Sequence, residues 1–255
     1  LQPENQGSDL FFQNAFLQMA TSDGVYDFIN GEILLFDKPL GWTSFDLVNK
    51  VRSFLCREMK IKKLKVGHAG TLDPLATGLM VVCTGKATKQ VEQLQAAEKE
   101  YLATLKLGAT TPSFDLETGE DNQYPTGHIT ADRMQEVLQQ FTGALQQLPP
   151  VFSAIQINGK RAYEHARKGA DVVIPKKTVT IHALEMVSFE IPHVVLRICC
   201  SKGTYIRALA RDIGFALGSG AYLTALRRTR SGDFFVQKAF TFETFREKFP
   251  SMMIK

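Results

Sequence analysis

Residues 67–78 read Gly-His-Ala-Gly-Thr-Leu-Asp-Pro-Leu-Ala-Thr-Gly. Asp73 stands directly before Pro74, in a stretch punctuated by Gly67, Gly70 and Gly78. Proline drives the residue before it into extended backbone, and glycine lets a ligand come close to the main chain, so this carboxylate is both fixed and reachable. A carboxylate held that way is a candidate nucleophile. Asp-Pro between glycines is also an ordinary turn starter, and the string alone leaves both readings open. Straight after it, Leu79-Met80-Val81-Val82-Cys83 reads as a buried strand closed by Thr84-Gly85-Lys86. The Gly85-Lys86 pair is not a nucleotide-phosphate loop, because no glycine stands five places before Gly85 and Ala87 replaces the required hydroxyl residue.

Upstream, Ile33-Leu34-Leu35-Phe36 reads as a short buried strand that ends in a turn at Lys38-Pro39. Thr43 or Ser44 then caps a helix with Phe45, Val48, Val51, Phe54 and Leu55 on one face. Arg57, Lys60, Lys62, Lys63 and Lys65 follow, opposed only by Glu58. They form either a solvated face or a phosphate-binding rim beside the Gly67 loop. Downstream, Tyr101 to Leu107 alternates as a half-buried strand and stops at Gly108, which puts Tyr101 at a strand's start. Residues 111–126 are polar and turn-rich, a capped helix is expected from Thr130 to Phe141, and Pro149-Pro150 breaks the chain. Val194 to Cys200 is β-rich. Thr204 to Leu217 reads as a helix with Ile206, Leu209, Ala210, Ile213 and Leu217 on one face, stopped by Gly218. Strands with a few helices and no regular βα alternation favour an α+β fold.

The chain of 255 residues, 44% hydrophobic and carrying a net charge of +4, can bury a large core. Cys56, Cys83, Cys199 and Cys200 show no metal-ligand spacing and read as reduced, mostly buried thiols of a cytoplasmic protein. The five histidines form no zinc pattern, so no metal is expected. No window of eighteen apolar residues exists to span a membrane. Residues 1–22 read as an unspecified leader or expression remnant. The stretch from Leu10 to Ala20 lacks the basic region of a secretion signal, and Met19 is a candidate natural start.

Five blocks, taken in order, resemble the TruB family of tRNA pseudouridine synthases. They are Asp37-Lys38-Pro39-Leu40-Gly41-Trp42-Thr43-Ser44; the Gly67 loop; Lys99-Glu100-Tyr101 through Leu107-Gly108; Phe152-Ser153-Ala154 through Tyr163 and Ala166-Arg167; and Cys200-Ser201-Lys202-Gly203-Thr204-Tyr205-Ile206-Arg207 through Leu226-Arg227-Arg228-Thr229. Ala69 departs from a common threonine, and Gln156 from a common lysine, which puts one phosphate contact in doubt.

The resemblance implies the pseudouridine synthase fold, an α+β architecture with a large mixed, mostly antiparallel sheet, a central catalytic cleft and flanking helices. Residues 23–240 would form the catalytic domain and 241–255 a short tail, with no separate C-terminal RNA-binding domain. It further implies isomerisation of uridine in the TψC arm of tRNA, at position 55 in tRNA numbering, with no cofactor. The protein would act as a stand-alone monomer without a guide RNA. Asp73 is the implied nucleophile, held by Arg207, with Tyr101 stacking on a flipped uracil and Tyr205 assisting the final proton removal. His68 would enter the RNA loop, Leu226 close the pocket and Asp115 join the active-site network. Lys38, Lys65, Lys160, Arg161, Arg167, Lys202, Arg227 and Arg228 are the expected phosphate contacts. The rival reading is a non-catalytic RNA-binding protein on the same scaffold, against which the set Asp73, Tyr101, Tyr205 and Arg207 argues.

Overall fold

The computed structural model describes residues 26–150 and 175–253, and the backbone of the two short strands Gln156–Ile157 and Lys160–Arg161. The expected block from Phe152 to Arg167, the Gln156 side chain, the contacts proposed for Lys160, Arg161 and Arg167, and the leader to residue 22 lie outside the described residues.

A nine-stranded sheet organises the molecule. Its strands are β1 (Ile33–Lys38), β2 (Val66–His68), β3 (Ala76–Thr84), β4 (Lys99–Leu107), β5 (Gly143–Gln147), β6 (Lys177–Glu190), β7 (His193–Cys200), β8 (Ala221–Ser231) and β9 (Phe234–Phe235). The order is β1-β3-β8-β4-β7-β6-β5, with β2 added to β3 and β9 to β8. Every pairing is antiparallel except that of β3 with β8. The helices among the described residues are α1 (Ser44–Glu58), α2 (Val91–Ala96), α3 (Ala131–Gln140), α4 (Ile206–Ala216) and α5 (Phe242–Met252). The expected α+β architecture, with a mixed and mostly antiparallel sheet, is what the chain forms.

One irregularity of this sheet positions everything that follows. β8 pairs with β3 only over Leu226↔Ala76, Arg227↔Thr77 and Arg228↔Gly78. At the other end of β3 the partner is β2, over Val66↔Thr84 to His68↔Val82. The chain from Ala69 to Leu75 leaves the sheet between these two pairings, so the Asp73 loop emerges where the sheet opens. Gly78, at φ +101°, makes the tight crossing there, since a Cβ would come within 2.3 Å of the Arg228 carbonyl oxygen.

Helix α1 starts as its sequence dictates, with a reciprocal capping box between Thr43 and Asp46. Its apolar face differs from the expected one: Leu47 joins Val48, Val51, Phe54 and Leu55 in the core, while Phe45 is 63% exposed. Residues 242–252, part of the stretch read as a tail, form α5. Its Phe242, Phe245 and Phe249 pack in the core, with Phe54 and Phe249 edge to face at 5.1 Å. β4 begins at Lys99, so Tyr101 sits inside the strand rather than at its start.

Candidate active site

The Asp73 loop is gripped on both sides by main-chain and side-chain hydrogen bonds. Ser44, freed from capping duty by Thr43, accepts from the Leu72 amide at 2.8 Å and donates to the Leu72 carbonyl at 3.0 Å. The Pro74 carbonyl accepts from the Gly41 amide at 2.9 Å and from Lys38 Nζ at 3.3 Å. Lys38 Nζ also donates to the carbonyls of Trp42 and Pro39, at 2.6 and 3.0 Å. The segment from Lys38 to Ser44 is therefore a cradle for residues 72–74, and two separate sequence blocks become one structural unit.

On the open side stands Arg207, in the first turn of α4. Its Nε lies 3.0 Å from Asp73 Oδ2 and 3.6 Å from Asp115 Oδ2, and its Nη1 donates to the Ser113 carbonyl at 3.2 Å. The side chains of Arg207 and Asp115 are 6% and 8% exposed, that of Asp73 41%. A buried guanidinium thus orients a reachable carboxylate, and a second buried carboxylate balances its charge. Asp115 is fixed by its own turn, accepting from the Glu117 amide at 3.0 Å, and Phe114 beside it holds φ +61°. Such left-handed backbone is costly for an aromatic residue and concentrates where a site dictates the geometry. Asp73, Asp115 and Arg207 line a narrow cleft with Leu75, Ala76, Leu116 and residues 223–226, including Leu226.

The other expected residues sort by burial. Tyr205 caps α4, and its backbone is read by the buried Gln147, whose Oε1 accepts from the Tyr205 amide at 2.8 Å and whose Nε2 donates to its carbonyl at 3.0 Å. Sequence reasoning missed Gln147, which carries no local motif; only its tertiary position shows its use. Tyr101 is 9% exposed and packs in the core across from Arg228; burial raises its phenol above the usual value. His68 closes β2 half-buried, and burial together with the Arg228 charge lowers it below 6.5, so the ring is neutral at pH 7. Lys202 and Lys65 are exposed.

Two expected phosphate contacts, Lys38 and Arg228, are corrected, and Arg227 is half-exposed in an ion pair. Lys38 is fully buried and spends its ammonium on backbone carbonyls; burial pushes it down to about 8, against the favourable pull of Asp73. Arg228 is 2% exposed and faces inward. Arg227 forms a two-pronged pair with Asp37, at 2.6 and 3.0 Å, which occupies its charge. In the sequence Lys38 and Arg228 look like surface cations, because nothing in a basic residue's neighbours announces that it is buried.

A family model described as TruB family pseudouridylate synthase (N terminal domain) matches residues 57–206, and one described as tRNA pseudouridylate synthase B C-terminal domain matches residues 207–251. The two meet between Ile206 and Arg207, inside the site. A curated relative named tRNA pseudouridine synthase B, from Parabacteroides distasonis, is 63% identical over 207 residues, covering 81% of this chain and 88% of the relative. Another of that name, from Phocaeicola vulgatus, is 58% identical over 221 residues, 87% of this chain and 94% of the relative. A solved structure described as a Cbf5-Nop10-Gar1 complex is similar at TM-score 0.66 and 30% identity, over 87% of this chain and 55% of that one, so this chain spans about half of its length. Family models that together cover most of the chain, and relatives this similar over most of their length, place the chain in the TruB family of pseudouridylate synthases, to which it belongs.

Proposed function

We propose that this tRNA pseudouridine synthase isomerises the uridine of the TψC loop, position 55 in tRNA numbering, with Asp73 as nucleophile acting on a base turned out of its stack. The observation that carries the proposal is the Arg207 guanidinium, buried and held between Asp73 and Asp115 at 3.0 and 3.6 Å, at the wall of a cleft. A buried cation there fixes the orientation of an accessible carboxylate by a charge-assisted hydrogen bond.

The reaction breaks the bond between the sugar C1′ and the base N1, turns the base, and joins C1′ to C5. The proton on C5 leaves and N1 ends protonated, so atoms and electrons balance with no net redox change. Asp73 serves this by attack on the sugar, by attack on the base, or by taking a sugar proton; its accessible carboxylate suits each route. Tyr205, at the start of α4, would assist the loss of the C5 proton, and Leu226, in the cleft wall, would close the pocket on the base. Tyr101 would stack on the uracil from the core side, which requires the cleft to widen toward β4. His68, neutral at pH 7, can enter an RNA loop without the cost of desolvating a charge. Turning out the base costs a few kcal/mol of stacking, which contacts from Lys202 and the exposed lysines to phosphates offset.

The test is an unmodified tRNA transcript incubated with the protein in the presence of a chelator, followed by mapping of pseudouridine at single-nucleotide resolution. Conversion at the TψC-loop uridine without added RNA or protein is expected. Conversion at other uridines only would overturn the substrate assignment, and tight binding with no conversion would favour the non-catalytic reading.

A further inference from the structure

Arg228 was expected to touch phosphate, and its surroundings give it another use. It is 2% exposed, and among the described residues no carboxylate forms an ion pair with it. A guanidinium taken out of water without an anion is costly unless its donors are met. Here they are met by the loop that carries Asp73 and by the strand β3 that follows it. Nε donates to the Leu79 carbonyl at 2.7 Å, Nη2 to the Gly70 carbonyl at 3.1 Å, and Nη1 to the Thr71 carbonyl at 3.4 Å.

The Leu79 carbonyl needs this donor because of the gap in the sheet. β3 loses β8 as a partner after Gly78 and gains β2 only at Val82, so the carbonyls of Leu79 and Val81 face a gap in the sheet. The Ala69 amide covers Val81 at 2.9 Å, and Arg228 covers Leu79. One side chain thus replaces the missing strand and at the same time hangs residues 70 and 71 from it. Gly70, at φ +113°, turns beneath the guanidinium, with Arg228 Nη1 3.5 Å from where a Cβ would be. Arg228 also stands directly across the sheet from Tyr101, so the loop and that aromatic share a neighbour.

We propose that Arg228 is a positioning residue for the isomerisation: its buried guanidinium, bonded to the carbonyls of Gly70, Thr71 and Leu79, ties residues 70 and 71 of the loop to the strand and so fixes Asp73 together with the Lys38 to Ser44 cradle, which holds residues 72 and 74. It touches neither substrate nor reacting atoms. The proposal rests on the reading of Asp73 as the reacting group.

The experiment compares wild type with R228M and R228K by single-turnover conversion of tRNA, by tRNA affinity over a range of salt, and by thermal unfolding, with D73N run beside them. Displacement of a reacting group by about 1 Å costs about 100-fold in rate. R228M is therefore expected to convert tRNA about 100-fold more slowly, and R228K, which can serve only part of the carbonyl set, less severely. The affinity and its salt dependence should be unchanged in both. A folded R228M that converts at the wild-type rate would overturn the proposal. So would a salt slope reduced by about one with the rate at saturation preserved, which is the mark of a phosphate contact. If R228M does not fold, R228K carries the test; unfolding of both would make Arg228 a residue of global stability and overturn the positioning role. Activity retained in D73N would instead remove the reading of Asp73 and leave the fault there.

Discussion

The two ends of β3 use positive charge in opposite ways. Where the chain enters the strand, Lys38, Lys99 and Arg228 are buried around the Asp73 loop and bond backbone carbonyls; Lys99 Nζ reaches those of Gln95 and Ala97 at 2.6 and 2.5 Å, and burial pushes it down to about 8. Where the chain leaves the strand, Lys63, Lys65, Lys86 and Lys89 line an open groove of about 410 Å³ with Ile61, Leu64, Gly85 and Thr88. The residue types are similar and the environments are not. At the first end a cation is part of the scaffold, and its removal leaves several backbone carbonyls without that donor. At the second it is free to exchange its counterion for a phosphate.

This contrast sets the expected consequences of mutation, and the largest falls at the first end. R207K removes the fork that joins Asp73 to the Ser113 carbonyl, and single-turnover conversion of tRNA should fall by about 100-fold or more with binding retained. A loss confined to affinity would move Arg207 to the class of the exposed lysines. S44A strips both hydrogen bonds from Leu72 and should cost about 1–3 kcal/mol, seen as a melting point lower by a few degrees. Unchanged melting would mean that the cradle does not bear on the loop. At the other end, K63A/K65A should weaken tRNA binding several-fold and lower the salt slope by up to about 2, while leaving the rate at saturation intact. A fall in that rate would erase the contrast between the two ends.

The smallest effect concerns pH. His68 has its folded value below the 6.5 of the free side chain, so the unfolded chain binds a proton more readily around and below that pH. Its contribution to stability is present above about 6.5 and is lost as the pH falls. Denaturant unfolding from pH 7 to 5 should show a shallower decline in H68Q than in wild type; equal slopes would show that burial and the Arg228 charge do not lower His68.

What could be read from the sequence follows from what local pattern encodes. β1, β3, β4, β7, α1, α3 and α4 announce themselves through apolar runs, capping residues and terminal glycines, and their observed bounds differ from the expected ones by a few residues at most. β6 escapes because its pairing with β7 is interrupted by irregularities at Ile181/Ala183 and Met186/Ser188, which break the two-residue period. β8 escapes because its second half, Arg227-Arg228-Thr229-Arg230, reads as surface although it lies at the middle of the sheet. Phe45 was misplaced because a helical face drawn from hydrophobicity alone cannot tell the first turn of α1 that its outer side faces solvent. The site is legible where residue type and spacing coincide with a motif, as for Asp73, Asp115 and Arg207. It is illegible where a side chain answers to distant backbone, as Gln147 does to Tyr205 and Arg228 to the loop.

The central claim is that Asp73, oriented by Arg207, makes and breaks the bonds. The most direct measurement is single-turnover conversion of unmodified tRNA by D73N beside the wild type, with tRNA binding followed on the same samples. Wild-type conversion at the TψC-loop uridine, with D73N binding equally and converting none, is the expected result; pseudouridine formed by D73N at a comparable rate would contradict it.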